Sequence, residues 1–161
     1  MPNANPMTPM LHIVLVQPKM AANIAAIVRL ATALNGAVHV CGPLIFEKKA
    51  DKTKWRAALD YWAGARVHFH RSVDRCLALL DKTPWLIEVG GSKTLWEAPF
   101  EWGDVLVFGP EDGSIPEAII KKQAHRLLSL PQPGPVRSLN LAQCAAVTSF
   151  EVYRRLHHPS E

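Results

Sequence analysis

The residues that could do chemistry fall in a few short polar patches of a chain that is otherwise rich in apolar residues. Glu111 directly follows an apolar run in "DVLVFGPEDGS", which puts its carboxylate at the mouth of whatever sheet that run joins. Taken alone, such a residue is a turn or cap group that accepts bonds from backbone N–H groups. The stretch "LPQPGPVRSLN" stiffens the backbone with Pro131, Pro133 and Pro135. It then presents Arg137, Ser138, Leu139 and Asn140 just before an apolar, small-residue segment. Asn23 and Arg29 stand early, in "NIAAIVRL"; Arg29 falls roughly opposite the apolar face of its helix, where solvent exposure is the default. His68 and His70 alternate in "RVHFH" and share a strand face, as metal ligands do. No Cys, Asp or Glu is spaced to complete a set, so no metal site is assigned.

The positive charge is modest but locally dense. A net charge of +4 leans mildly toward polyanionic partners. In "FEKKADKTKWR", Lys48, Lys49, Lys52, Lys54 and Arg56 surround Trp55. A solvated surface helix is the plainer reading, and phosphate contacts beside an aromatic stacking point are the sharper one. The commonest α/β chemistries are absent: there is no G-x-G-x-x-G, no G-x-x-x-x-G-K-[ST] and no G-x-S-x-G. Cys41, Cys76 and Cys144 are scattered and odd in number, which fits reduced thiols in a cytoplasmic protein. No run approaches the roughly 18 apolar residues of a membrane span. Residues 1–10 lack a basic start and an apolar run, and read as a flexible N-terminal arm.

Strands and helices must alternate to position these groups. "LHIVLV" (11–16), "AVHVCGP" (37–43), "RVHFH" (66–70), "PWLIEVGG" (84–91), "DVLVF" (104–108) and "HRLLSLP" (125–131) read as strands. Helices are expected over 21–36, with Ile24, Ile27, Val28, Ala31 and Leu34 on one face, over "KWRAALDYW", and over 72–81 with Ser72 as N-cap. Further helices are expected from Pro116 and over about 139–156, leaving 157–161 as a tail. The alternation predicts an α/β fold of one domain with a mainly parallel sheet flanked by helices. Ligands then belong outside the carboxyl ends of the strands, at "QPKMAAN", "VGGSK", "FGPEDGS" and "LPQPGPVRS".

In their order, "NIAAIVRL", "VLVFGPE" and "LPQPGPVRSLNLAQCAA" resemble the three motifs of the SpoU-type branch of the SPOUT RNA methyltransferases, over about residues 11–156. The compact size and "KWRAALDYW" look most like the small tRNA 2′-O-methyltransferases that act on a cytidine or uridine at the wobble position. The chain departs from the pattern at Ala25 and Ala26, at Gly113-Ser114, and at Phe150, where wobble-modifying relatives carry a tyrosine.

The resemblance implies a C-terminal trefoil knot, an exception to the usual unknotted topology. It implies S-adenosylmethionine as cofactor and no metal, with Val89, Gly90, Gly109, Leu130, Ser138 and Leu139 around the cofactor. It also implies catalytic roles for Asn23, Arg29, Glu111, Ser138 and Asn140, with tRNA as substrate. Asn23 would orient the ribose, Arg29 would stabilise the developing alkoxide and hold a phosphate, and Glu111 would fix Arg29 or Asn140. A homodimer is implied through the last helix, whose Ala142, Ala145, Ala146 and Ser149 permit close approach; packing within one chain is the plainer reading of those residues. The alternative function is a non-catalytic RNA- or cofactor-binding relative of the same fold. The combination of Asn23, Arg29, Glu111, Ser138 and Asn140 argues against it.

Overall fold

The computed structural model describes residues 7–43 and 64–158. Seven strands form one sheet: β1 (Leu11–Val16), β2 (Ala37–Cys41), β3 (Arg66–His70), β4 (Trp85–Ile87), β5 (Lys93–Thr94), β6 (Asp104–Phe108) and β7 (Leu127–Ser129). Their order is β3-β2-β1-β6-β4-β7-β5, and every pairing among the described residues is parallel. Four described helices complete the fold: α1 (Ala21–Ala33), α2 (Val73–Leu79), α3 (Glu117–Lys122) and α4 (Leu141–His157).

The central strands are mostly apolar because both faces are covered. Along β1, Leu11, Ile13 and Leu15 enter one core with Ile24, Ile27, Val28 and Ala31 of α1 and Leu141, Ala145 and Val152 of α4. Val14 and Val16 point the other way, joining Val73 and Cys76 of α2 and Ile119 of α3. The same alternation runs along β6, where Leu106 and Phe108 oppose Val105 and Val107.

Chain ends and caps follow from local chemistry. α1 closes where Asn35 turns to a left-handed φ of 53° and the Gly36 N–H bonds to Ala31 O at 2.7 Å. Ser72 caps α2 as expected, its hydroxyl accepting from Arg75 N. β4 ends at Ile87, short of the expected 84–91, because Gly90 takes a left-handed φ of 80° and Gly91 passes against β7. A Cβ on Gly91 would lie 2.6 Å from the Leu128 carbonyl carbon. β5 and the 3-10 turn Leu95–Glu97, closed by a Thr94–Glu97 capping box, are too short for a periodic signal, and the sequence reading lacks them.

The expected strand 125–131 contracts to Leu127–Ser129 behind a 3-10 turn at Ala124–Arg126. Met10, assigned to the arm, is only 2% exposed and exchanges backbone bonds with Asn35 and Gly103, so the packed fold takes it in. His157, assigned to the tail, is the last residue of α4 and stacks on Tyr153. The expected helix "KWRAALDYW" and the basic interval around Trp55 lie outside the described residues.

Asp104 anchors the amino end of β6. It is 3% exposed and accepts from the Trp85 indole at 3.1 Å and from Glu101 N at 2.8 Å. Asp104→Ala leaves both donors without an acceptor and should cost about 2 kcal/mol or more. Urea unfolding should show this as a lowered midpoint at constant slope; an unchanged midpoint would refute the anchoring role.

Candidate active site

Four of the strands, β1, β6, β4 and β7, are consecutive in the sheet, so the loops that follow them open side by side at its carboxyl edge. They enclose a cavity of about 340 Å³, inside the range of small-molecule sites, roughly 300–1,000 Å³. The loop after β4 supplies Glu88 and Val89, that after β6 supplies Gly109, Pro110 and Glu111, and Met20 comes from the loop after β1. The loop after β7 supplies Leu130, Gln132, Ser138, Leu139 and Asn140, and α4 adds Leu141 and Cys144.

One carboxylate ties three of these loops together. Glu111 Oε2 accepts from Lys19 N at 2.7 Å, and Oε1 accepts from Met20 N and Asn23 Nδ2, each at 3.0 Å. Asn23 Oδ1 in turn accepts from Asn140 Nδ2 at 3.1 Å. The Asn140 Oδ1 caps α4, accepting from Ala142 N at 2.9 Å and Gln143 N at 3.2 Å. Glu111 is thus the backbone acceptor that its position suggests, but for an amide pair more than ninety residues away in sequence. It reaches Asn140 through Asn23. Burial by itself would raise the Glu111 carboxyl; the bonds from Asn23 and from backbone amides outweigh it and hold the group below its ordinary value.

Among the described residues, the cavity wall carries two carboxylates, Glu88 and Glu111, and no Lys or Arg. Glu88 escaped the sequence reading: it sits within "EVGG" with no motif to mark it. Its Oε1 accepts from Ile115 N at 2.6 Å and fixes the turn after β6. Gly109 is required in that turn, because a Cβ there would come within 2.8 Å of Ile115 N. Burial, then the nearby Glu88 charge, pushes the Cys144 thiol up to about 11, so it is an apolar wall group and no nucleophile.

Of the expected site residues, the structure gathers Glu111, Ser138, Asn140, Val89, Gly109, Leu130 and Leu139 in the cavity wall. Asn23 stands behind the wall, 5% exposed. Gly90 lies just past the wall in its turn, and exposed Arg29 stands outside it, about 9 Å farther along α1 than Asn23. His68 and His70 are on β3, two strands from β1 and away from this cavity.

The arrangement matches a known family along almost the whole chain. The sequence model of the SpoU rRNA Methylase family covers residues 10–150. The chain belongs to that family. It is 36% identical over 149 residues to a tRNA (cytidine(34)-2'-O)-methyltransferase of Methylovorus glucosotrophus, covering 91% of this chain and 96% of that protein. A solved structure described for the 2-OH methylation of C/U34 on tRNA superposes with a TM-score of 0.81 at 40% identity, over 91% of this chain and 96% of its own. An AdoMet-bound rRNA methyltransferase of Sinorhizobium meliloti shares the fold, with a TM-score of 0.75 at 20% identity over 96% of this chain and 59% of that one. This SpoU member therefore pairs a family-typical fold with a cavity of its own defined chemistry.

If ionised Glu111 is the tie, its contribution to stability is present above the ordinary carboxylate value of 4.5 and is lost as pH falls through the lowered folded value. Glu111→Gln should cost about 1–2 kcal/mol near neutral pH. In urea melts across pH 7 to 3 the gap between the two proteins should narrow in acid. A gap independent of pH would rule out the ionised tie.

Proposed function

We propose that this chain transfers a methyl group from S-adenosylmethionine to a ribose 2′-OH of tRNA, at the wobble nucleotide, with residues 11–156 as the catalytic domain. The observation that carries the cofactor assignment is the cavity wall. Apolar groups at Val89, Leu130 and Leu139 suit a flat aromatic ring, and two carboxylates with no basic side chain among the described wall residues favour a cation over a phosphate. That combination fits an adenosyl sulfonium. The family and the named activity of its relatives supply the substrate class.

When bound there, S-adenosylmethionine supplies a methyl group on an electrophilic sulfonium. The protein's task is then alignment and charge stabilisation. Ser138, Leu139 and the backbone near Val89, Gly90, Gly109 and Leu130 hold the cofactor. Asn140 borders the reacting end, and the Glu111–Asn23 pair holds Asn140 in place. Because the Asn23 amide is committed to Glu111 and Asn140, its help to the ribose is positional. A guanidinium keeps its proton, so Arg29 stabilises the developing alkoxide and grips the neighbouring phosphate.

We further propose a knotted C-terminal segment and a homodimer in the cytoplasm. Ala145 and Ser149 are fully buried within the chain, and Ala145 joins the core with residues of α1, so these small residues serve intramolecular packing. The outward face of α4 instead shows Val147, Phe150 and Tyr153, at 42%, 55% and 37% exposure. That row suits a second copy, and a site completed by the partner gives exposed Arg29 a cavity to serve.

Titration calorimetry should detect S-adenosylhomocysteine binding that Ser138→Arg abolishes. Methylation of unmodified tRNA should fall about 100-fold or more in Arg29→Ala while that binding persists. Wild-type protein that neither binds the product nor methylates tRNA would favour the non-catalytic alternative. Sedimentation should give a dimer that Phe150→Asp converts to monomer; a monomeric wild type would refute the shared site.

A further inference from the structure

Far from the cavity, the face of the sheet covered by α2 carries a row of histidines. Adjacent residues of parallel strands point the same way, and the register pairs His39 with Val14 and with His68, and Cys41 with His70. His12 Nδ1 lies 2.9 Å from His39 Nε2, and His39 Nδ1 lies 3.0 Å from His70 Nε2. His68 stacks on His39 at 5.0 Å. Just after β3, the Ser72 cap starts α2 and turns fully buried Cys76 back toward this row. None of these groups has a part in the proposed methyl transfer.

We propose that His39, His70 and Cys76 form a binding site for one divalent transition-metal ion of the zinc type. Their ligand atoms all lie within 4.8 Å of one another. A tetrahedral zinc ion holds nitrogen ligands about 3.3 Å apart and nitrogen and sulfur about 3.6 Å apart. The two imidazole nitrogens already stand near that spacing, and the sulfur has at most about an ångström to move. Two imidazoles and one thiolate suit zinc or cobalt over the hard cations, and they leave a fourth position for water.

The surroundings supply the outer partners that such sites use. His39 Nε2–H can donate to His12 Nδ1, which orients Nδ1 toward the ion. Binding then requires His70 to carry its proton on Nδ1, and the Cys76 thiol to release one proton. Burial first, then the neighbouring histidines, pushes His39 down to about 3. A hydrogen bond between the two thiols lowers Cys76 and raises Cys41. The sequence held no such set within one motif; the fold joins β2, the end of β3 and the first turns of α2 to make it.

The test is cobalt titration of the full-length chain, stripped with a chelator and kept reduced. The expected result is a thiolate-to-cobalt charge-transfer band with tetrahedral visible bands, saturating at one equivalent, displaced by zinc, and accompanied by a rise in melting temperature with zinc. Cys76→Ser should lose the charge-transfer band while circular dichroism shows it folded. If that variant does not fold, His70→Gln at the end of the edge strand carries the same test. No thiolate band in the wild type, or a band that survives both substitutions or disappears in Cys144→Ser, would overturn the proposal and leave a hydrogen-bonded histidine row.

Discussion

The carboxylate of Glu111 is the constraint on which the cavity depends. It receives two backbone amides at the entrance to α1 and the side chain of Asn23 one turn later. Through Asn23 it reaches Asn140, whose own oxygen caps α4. One charged group therefore sets the relative position of the loops after β1, β6 and β7. Charge-assisted bonds are stronger than neutral ones, and partial burial strengthens them further. Removing any member leaves a donor or acceptor on another element without its partner, so the effects of Asn23, Glu111 and Asn140 should couple strongly.

The network runs from Glu111 and Asn140 in the cavity wall to Asn23 behind it, and leaves much of the remaining wall to apolar side chains. Leu130, Leu139 and Val89 line it alongside the bare turn at Gly109, while Glu88 braces that turn from the β4 side. This division separates positioning from recognition. The polar chain holds the loops, and the wall offers shape, ring contact and negative charge. The prolines at 131, 133 and 135 assist by limiting the unfolded states of the loop that supplies Ser138 and Leu139.

The same sheet serves two other purposes at its faces. α4 uses its small residues to settle against α1, and so turns Val147, Phe150 and Tyr153 outward. Tyr153 lies edge-on to Phe150 at 6.3 Å. On the other face, the histidine row links β1, β2 and β3 beneath α2 and stays clear of the cavity.

The sequence by itself determined the alternation of strands and helices, the apolar face of α1, the cap at Ser72, and the family. Each rests on local periodicity or on residue types at fixed spacing, and such signals survive without knowledge of distant contacts. Glu111, Ser138 and Asn140 were singled out by their motifs, and they line the cavity. What only the tertiary structure decided were relations between segments: the strand order that sets four loops side by side, and the relay from Glu111 through Asn23. The place of Glu88 in the wall, the inward use of Ala145 and Ser149, and the meeting of His39 with His70 and Cys76 belong to the same class. A carboxylate or histidine carries no sequence mark of the partner that will face it, because that partner is chosen by sheet order and not by spacing along the chain.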